Sequence, residues 1–250
     1  MAAAAEILLP HDSEMQITIR QAATYLGVPE ATVRRWITSE GLPVHRVNER
    51  FHCNAIELWE WATANGHPVA RALLLDARQA PDVVPPLSQL LEAGGIHRDL
   101  EGDTKPEVFR TVVEALPFPA DLDRESLLSV LEAREAMGST GIGDGIAIPH
   151  VRNPILLHVE RPFVALCMLK HPIEFDAVDG KPVGALFVVV SPNVPSHLQI
   201  LARLGFTLRD PGLRALLRDG APSDEILHRI RSIEAATPTG GVAAQSRASR

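Results

Sequence analysis

The segment at residues 138–150, "GSTGIGDGIAIPH", sets three alternating glycines, Gly141, Gly143 and Gly145, a short distance ahead of a single histidine, His150. Glycine costs backbone entropy on folding, so a cluster of this density needs a reason. Without Cβ atoms, successive backbone N–H groups are free to converge on an anion. A neutral imidazole nitrogen is a competent nucleophile near neutral pH, and its covalent adduct can be passed on. Phosphoryl transfer asks the protein chiefly for in-line placement and charge stabilisation. Three other readings fail. No Lys-Ser/Thr pair follows the glycines, so this is not a P-loop. The spacing is not GxGxxG and the segment follows a predicted helix, which argues against a dinucleotide site. A Ser139–His150 hydrolase pair lacks the strand–turn–helix nucleophile elbow. An anion-friendly loop running into a histidine is left.

The surrounding residues predict the elements that must hold it. "DTKPEVFRTVVEAL" has helical spacing at Val108, Val112 and Ala115, with Asp103 or Thr104 as cap. "DRESLLSVLEAREAM" is a second helix, capped by Asp123, with Leu127, Leu128 and Leu131 on one side. "FVALCMLK" and "VGALFVVV" read as buried strands separated by a turn in "HPIEFDAVDGKP". "VPSHLQILARLGFTLRD", "PGLRALL" and "SDEILHRIRSIEA" are helical. Residues 87–235 are therefore an α/β unit, a mixed β-sheet flanked by helices.

Three stretches in order, "LEAREAMGSTGIGDGIAIPH", "HPIEFDAVDGKPVGALFVVVSP" and "SHLQILARL", resemble the enzyme IIA domain of the bacterial phosphotransferase system. The subclass is the fructose/mannitol type, and within it the nitrogen-regulatory branch. The resemblance covers nearly all of residues 87–235. It implies that His150, in the "PH" motif, accepts a phosphoryl group from an HPr-like phosphohistidine carrier. It also implies that His197 and Arg134 line the same site. Arg134 then pairs with phosphate oxygens, and His197 donates to the phosphoryl group as charge develops. Neither a metal nor an organic cofactor is required. One residue departs from the family pattern: Val151 follows the reactive histidine where glycine is usual. His97, His158, His171 and His228 have no constellation around them and read as structural or exposed.

The first part of the chain has a different rhythm. Thr18 caps a short helix carrying Ala22, Ala23 and Leu26, which Gly27 ends. Pro29 opens a second helix at its first turn, with Val33, Trp36 and Ile37 on one face. "VHRVNERFH" gives two extended runs around Asn48-Glu49, and "NAIELWEWATANG" closes the unit as a helix capped by Asn54, with Ile56, Leu58 and Trp59 turned inward. This resembles the excisionase-type, MerR-like winged helix-turn-helix family, a small mainly α domain. The resemblance places Thr32, Arg34 and Arg35 on or near a DNA-recognition helix, and Arg46 and Arg50 on a wing. Arginine reads guanine edges or holds phosphate. Residues 16–52 carry five arginines against three glutamates, a weak excess for a DNA binder. The alternative is a protein-docking module. A single copy rarely binds DNA tightly, so a homodimer or a neighbouring factor is implied.

The bulk numbers bound these readings. The chain has 250 residues, a formal net charge of −7, 46% hydrophobic residues and two distant cysteines, Cys53 and Cys167. Whole-chain charge gives no nucleic-acid signal, and the cysteines give neither a disulfide framework nor metal-ligand spacing. A reducing, cytoplasmic location without membrane insertion is expected. The organisation expected is a disordered tail at 1–15, the helix-turn-helix domain at 16–65, a linker at 66–86, the enzyme IIA-like domain at 87–235 and a disordered tail at 236–250. Joining a DNA-type module to a phosphoacceptor points to regulation through DNA or a protein target. The rivals are a phosphocarrier with a non-DNA docking domain, and a non-catalytic sensor.

Overall fold

The computed structural model describes residues 16–47, 50–67, 84–118, 123–151 and 159–236. The tails at 1–15 and 237–250 and most of the expected linker lie outside these residues.

The N-terminal unit begins with strand β1 (Gln16–Thr18) and helix α1 (Ile19–Leu26). Thr18 caps α1 reciprocally with Gln21: the Gln21 N–H donates to the threonine hydroxyl, and the Gln21 side chain accepts from the Thr18 N–H. Gly27, at φ 67°, takes the left-handed conformation that ends the helix. Helix α2 (Glu30–Ser39) follows. Pro29 is its N-cap in extended conformation, one position earlier than expected. Strands β2 (His45–Val47) and β3 (Arg50–Asn54) pair antiparallel as the wing, and β1 adds to the other edge of β3. Helix α3 (Ala55–Ala64) starts at the Asn54 cap, whose side chain accepts from the N–H groups of Ile56 and Glu57.

The second unit is built on a five-stranded sheet of order β4-β7-β8-β6-β5. Its elements are α4 (Leu87–Gly94), β4 (Ile96–Leu100), α5 (Lys105–Ala115), α6 (Arg124–Ala136), β5 (Gly141–Gly143) and β6 (Ile146–Ala147). Then come β7 (Phe163–Ile173), β8 (Val183–Val190), α7 (Val194–Thr207), α8 (Pro211–Arg218) and α9 (Ser223–Ala236). Pairing is parallel for β4–β7 and β6–β8, and antiparallel for β7–β8 and β5–β6. The mixed sheet is as expected; α4 and β4 are additional to the sequence reading. The strand β7 also runs on through His171, Pro172 and Ile173, and the expected turn follows at Ala177–Gly180, where the Gly180 N–H donates to the Ala177 carbonyl at 2.9 Å. Pro172 is tolerated in the strand because β4 pairs with β7 only as far as Leu169 and the β7–β8 register shifts between Met168 and Ile173.

Both sheet faces are covered, which is why the central strands read as unbroken apolar runs. Ala165, Cys167, Leu186 and Val188 pack on α5 and α6. Val164, Leu166, Phe187 and Val189 pack on the opposite side with residues of α4, α7, α8 and α9. Gly94 permits the close seat of α4 on β7: a Cβ there would lie 2.3 Å from the Val164 carbonyl oxygen. The second apolar layer does not stop at the unit's edge. It is continuous with the core of the N-terminal unit, including Val33, Trp36, Ile56 and Trp59. Helix α3 packs against α7, so the two units are joined by a shared interior.

Candidate functional site

His150 lies just beyond β6, where it bridges Val189 of β8 in parallel. The Val189 N–H donates to the Pro149 carbonyl at 3.0 Å. Alternation along this extended stretch decides which side chain faces where. Ile146 and Ile148 enter the layer shared with α7 and the N-terminal unit, whereas Ala147 and Val151 enter the layer of α5 and α6. Val151 is therefore a core residue on the other face. Its side chain is 1% exposed and does not fill the histidine's cavity.

Nδ1 of His150 is 2.7 Å from the carbonyl oxygen of Ile148. A carbonyl only accepts, so Nδ1 carries a proton, and Nε2 is the nitrogen that faces the cavity. Nε2 lies 2.8 Å from Oε1 of Glu60. The same oxygen accepts from Nε of Arg134 at 2.7 Å. Arg134 Nη1 donates to the Gly138 carbonyl at 2.7 Å, which fixes the guanidinium at the end of α6. His197, in the first turn of α7, brings its ring centroid within 5.3 Å of that of His150. The α7 start is set by Asn193, which caps the Ser196 N–H at 2.9 Å. The Ser191 hydroxyl lies 3.0 Å from His197 Nδ1. His197 is fully buried, and its Nε2 has no hydrogen-bond partner among the described residues. Burial first, then the His150 charge, holds its pKa well below the ordinary 6.5, so this ring is neutral.

Arg134, His150 and His197 are thus brought together. The glycines are not. Gly141 lines the cavity, but its N–H donates to Ser139 Oγ at 3.0 Å. A Cβ at Gly141 would stand 2.8 Å from Ala177, so glycine here serves close backbone packing. Gly143 and Gly145 belong to the β5–β6 hairpin, beside Asp179 and Pro182. The expected cradle of three glycine N–H groups around His150 is not formed. The segment is instead anchored by Glu135, whose carboxylate accepts from the Thr140 N–H at 2.9 Å, the Thr140 hydroxyl at 2.7 Å and Lys105 Nζ at 2.9 Å.

Two residues bonded into this region escaped the sequence reading, Glu135 and Glu60. Glu135 is adjacent to Arg134, and its signal is an acid on an otherwise core-facing position of α6. Glu60 comes from α3 of the other unit. Its signal is the run "LWEWA", where Trp59 and Trp61 point to opposite sides. Trp61 packs on Trp36 within its own unit, with centroids 5.4 Å apart. Trp59, expected to turn inward, reaches the second unit, 6.2 Å edge-on from His150, and a Cβ at Gly205 on α7 would lie 3.6 Å from its Nε1.

On the helix-turn-helix unit, Arg34 and Arg35 are exposed on α2 and Thr32 is half-buried. Arg46 and Arg50 lie on the wing strands, paired with Phe51 and Val47 respectively. Of the remaining histidines, His97 contacts the Gly94 carbonyl at 2.9 Å, and His171 and His228 are exposed. His158 lies outside the described residues. Both cysteines are free, and burial pushes each thiol up to about 12. Among the described residues there is no group of three or more His, Cys, Asp or Glu suited to a metal ion, and no helix long and apolar enough to cross a membrane.

Residues 17–63 match a helix-turn-helix domain family. A nitrogen regulatory protein of Pseudomonas aeruginosa is 36% identical over 148 residues, spanning 58% of this chain and 93% of that protein. The nitrogen regulatory protein of Escherichia coli K12 is 31% identical over 159 residues, 63% of this chain and 96% of its own length. The crystal structure of nitrogen regulatory protein IIA-Ntr from Neisseria meningitidis superposes with a TM-score of 0.50 at 30% identity, covering 57% of this chain and 97% of that one. Residues 89–233, more than half of the chain, match the family described as the phosphoenolpyruvate-dependent sugar phosphotransferase system, EIIA 2, and the chain belongs to that family.

Proposed function

We propose that this chain is a regulatory phosphohistidine protein. His150 accepts a phosphoryl group from an HPr-like carrier, and its phosphorylation state governs how the helix-turn-helix unit engages DNA or a protein target. The observation that carries this reading is the pairing of an imidazole held through Nδ1 with a buried guanidinium on one anion. Nδ1 of His150 is engaged by Ile148, and Arg134 and Nε2 converge on the same carboxylate oxygen. A phosphoryl group replaces that carboxylate in kind.

The step balances simply. The Nε2 lone pair of His150 attacks phosphorus while the carrier's N–P bond breaks, and that bond's electron pair stays on the carrier imidazole. Arg134 neutralises the equatorial oxygens. His197 is neutral, and a Ser191 hydroxyl donating to Nδ1 leaves its Nε2 protonated as a donor with no other partner. Donating that proton to the phosphoryl oxygens satisfies a buried polar atom and stabilises charge in the transition state.

The regulatory half of the reading rests on contact between the two units. Phosphate adds roughly −1.5 to −2 charge, and it would add it beside Glu60 of the helix-turn-helix unit. Arg34 and Arg35 of α2, with Arg46 and Arg50 of the wing, are the side chains assigned to DNA. The test compares phosphorylated with unphosphorylated protein, and with His150→Ala, for binding to duplex DNA and to proteins captured on the chain. A phosphorylation-dependent change, absent in His150→Ala, is expected. Equal affinities in both states would leave only a phosphocarrier with a docking domain.

A further inference from the structure

We infer that Glu60 is a built-in competitor for the phosphoryl subsite, a carboxylate that the helix-turn-helix unit inserts to close the site until phosphorylation expels it. The inference rests on the reading of His150 as the phosphoryl acceptor and adds the device that regulates it.

Position comes first. Oε1 of Glu60 is held by Arg134 Nε at 2.7 Å and His150 Nε2 at 2.8 Å, the two groups that would hold a phosphoryl oxygen and phosphorus. Space comes second. The cavity between Trp59, Glu60 and Thr63 on one side and Arg134, Thr140 and His150 on the other is about 20 Å³. That volume admits about one water molecule, not a phosphoryl group or a carrier's active-site loop. His150 is 1% exposed beneath this cover.

Protonation comes third. Nδ1 donates to Ile148, and the carboxylate of Glu60 also accepts, so both ring nitrogens donate in the closed state. A protonated Nε2 has no lone pair with which to attack phosphorus. When Glu60 withdraws, Nε2 loses this partner and is open to the carrier. Fourth, the plug has an apolar seat: Trp59 faces α7 so closely that a Cβ at Gly205 would touch its indole at 3.6 Å, and the cores of the two units are continuous.

Docking of α3 and phosphorylation of His150 therefore exclude each other, and the linkage is reciprocal. A partner that holds the helix-turn-helix unit away from α7 speeds phosphorylation. Phosphorylation in turn frees the α3 surface around Trp59 and Glu60. A phosphoryl group offers three oxygens to a site with an unused donor on His197, so it is the stronger occupant once formed.

The test reads His150 accessibility without any carrier. The full chain, Glu60→Ala and Glu60→Gln are treated with diethyl pyrocarbonate, and acylation is followed residue by residue by mass spectrometry. Exposed His228 is the internal standard. Glu60→Ala is expected to raise the His150 rate about tenfold or more as the docked population falls, with His228 unchanged. Glu60→Gln keeps the side-chain volume and isolates the charge; it is expected to fall between the two. Circular dichroism and melting verify that each variant is folded. Equal His150 rates in wild type and both folded variants, or a wild-type rate as fast as that of His228, would overturn the plug. A second arm adds phosphorylated HPr. Faster acylation without phosphate on any variant leaves the plug standing and removes the phosphoacceptor reading; faster acylation with faster phosphorylation supports both.

Discussion

The carboxylate of Glu60 and the imidazole of His150 lie 90 positions apart in the chain and 2.8 Å apart in the structure. One belongs to the last helix of the helix-turn-helix unit, the other to the sheet edge of the enzyme IIA domain. The contact places the histidine and the helix that carries the glutamate in one hydrogen-bonded site.

Phosphorylation should undock the N-terminal unit. A dianion on Nε2 would meet the Glu60 carboxylate as a like charge in a poorly solvated site. Hydrogen exchange of α3 amides, with α6 as reference, should quicken on phosphorylation by roughly tenfold or more. Unchanged protection of α3 in fully phosphorylated protein would contradict this.

Arg134→Gln removes the cation that neutralises Glu60 and, on transfer, the phosphoryl oxygens. The carrier-dependent phosphorylation rate should fall by about 10²-fold, the order seen when one charge-stabilising donor is lost. The uncompensated Glu60 should also loosen the interface, because a buried charge without its partner is costly. A variant phosphorylated at the wild-type rate would remove Arg134 from the site.

His197 carries a pH signature. Its pKa lies below the ordinary 6.5 in the folded chain, chiefly from burial and then from the His150 charge and Arg134, with Glu60 opposing. The unfolded chain therefore binds the proton more readily. The stability contributed by the neutral buried ring is complete above about pH 6.5 and is lost as pH falls toward the folded value. Melting temperature from pH 7.5 down to 5 should drop more steeply in wild type than in His197→Gln. Parallel curves would mean that His197 is not neutral and buried in solution.

Glu135→Gln tests the anchor of the glycine segment. Its charge-assisted bonds to Thr140 and Lys105 are weakened, at a cost of about 1.5–3 kcal/mol for hydrogen bonds to a buried charge. Denaturant unfolding reads this directly, and phosphorylation should slow as Ser139–Gly141 loosens. Stability within 0.5 kcal/mol of wild type, about the scatter of a neutral surface change, would contradict it.

Much of this arrangement is legible in the sequence because local physics determines it. The caps at Thr18, Asn54, Asp123 and Asp210 follow from short polar side chains before apolar-periodic runs. The buried strands β7 and β8 follow from short apolar runs, too short for a membrane, with four valines in β8. Other features depend on partners distant in sequence. Strand β4 is a half-exposed edge with no alternation to reveal it, "IHRDL". The glycines at 141, 143 and 145 suggest an anion cradle by composition, yet packing against Ala177 and a hairpin turn account for their placement. Glu60 reads as the polar tooth of an amphipathic helix until the second unit is placed against it. No local pattern carries an interface that forms between residues 60, 134 and 150.

The measurement that bears most directly on the account is the site of phosphate after incubation with a phosphorylated HPr-type carrier. Tandem mass spectrometry at neutral or alkaline pH should find one acid-labile phosphate, on His150, and none in His150→Ala. ³¹P–¹H correlation should place it on Nε2. A wild-type chain that remains unmodified under conditions where the carrier is fully charged, or phosphate on any other residue, would contradict it.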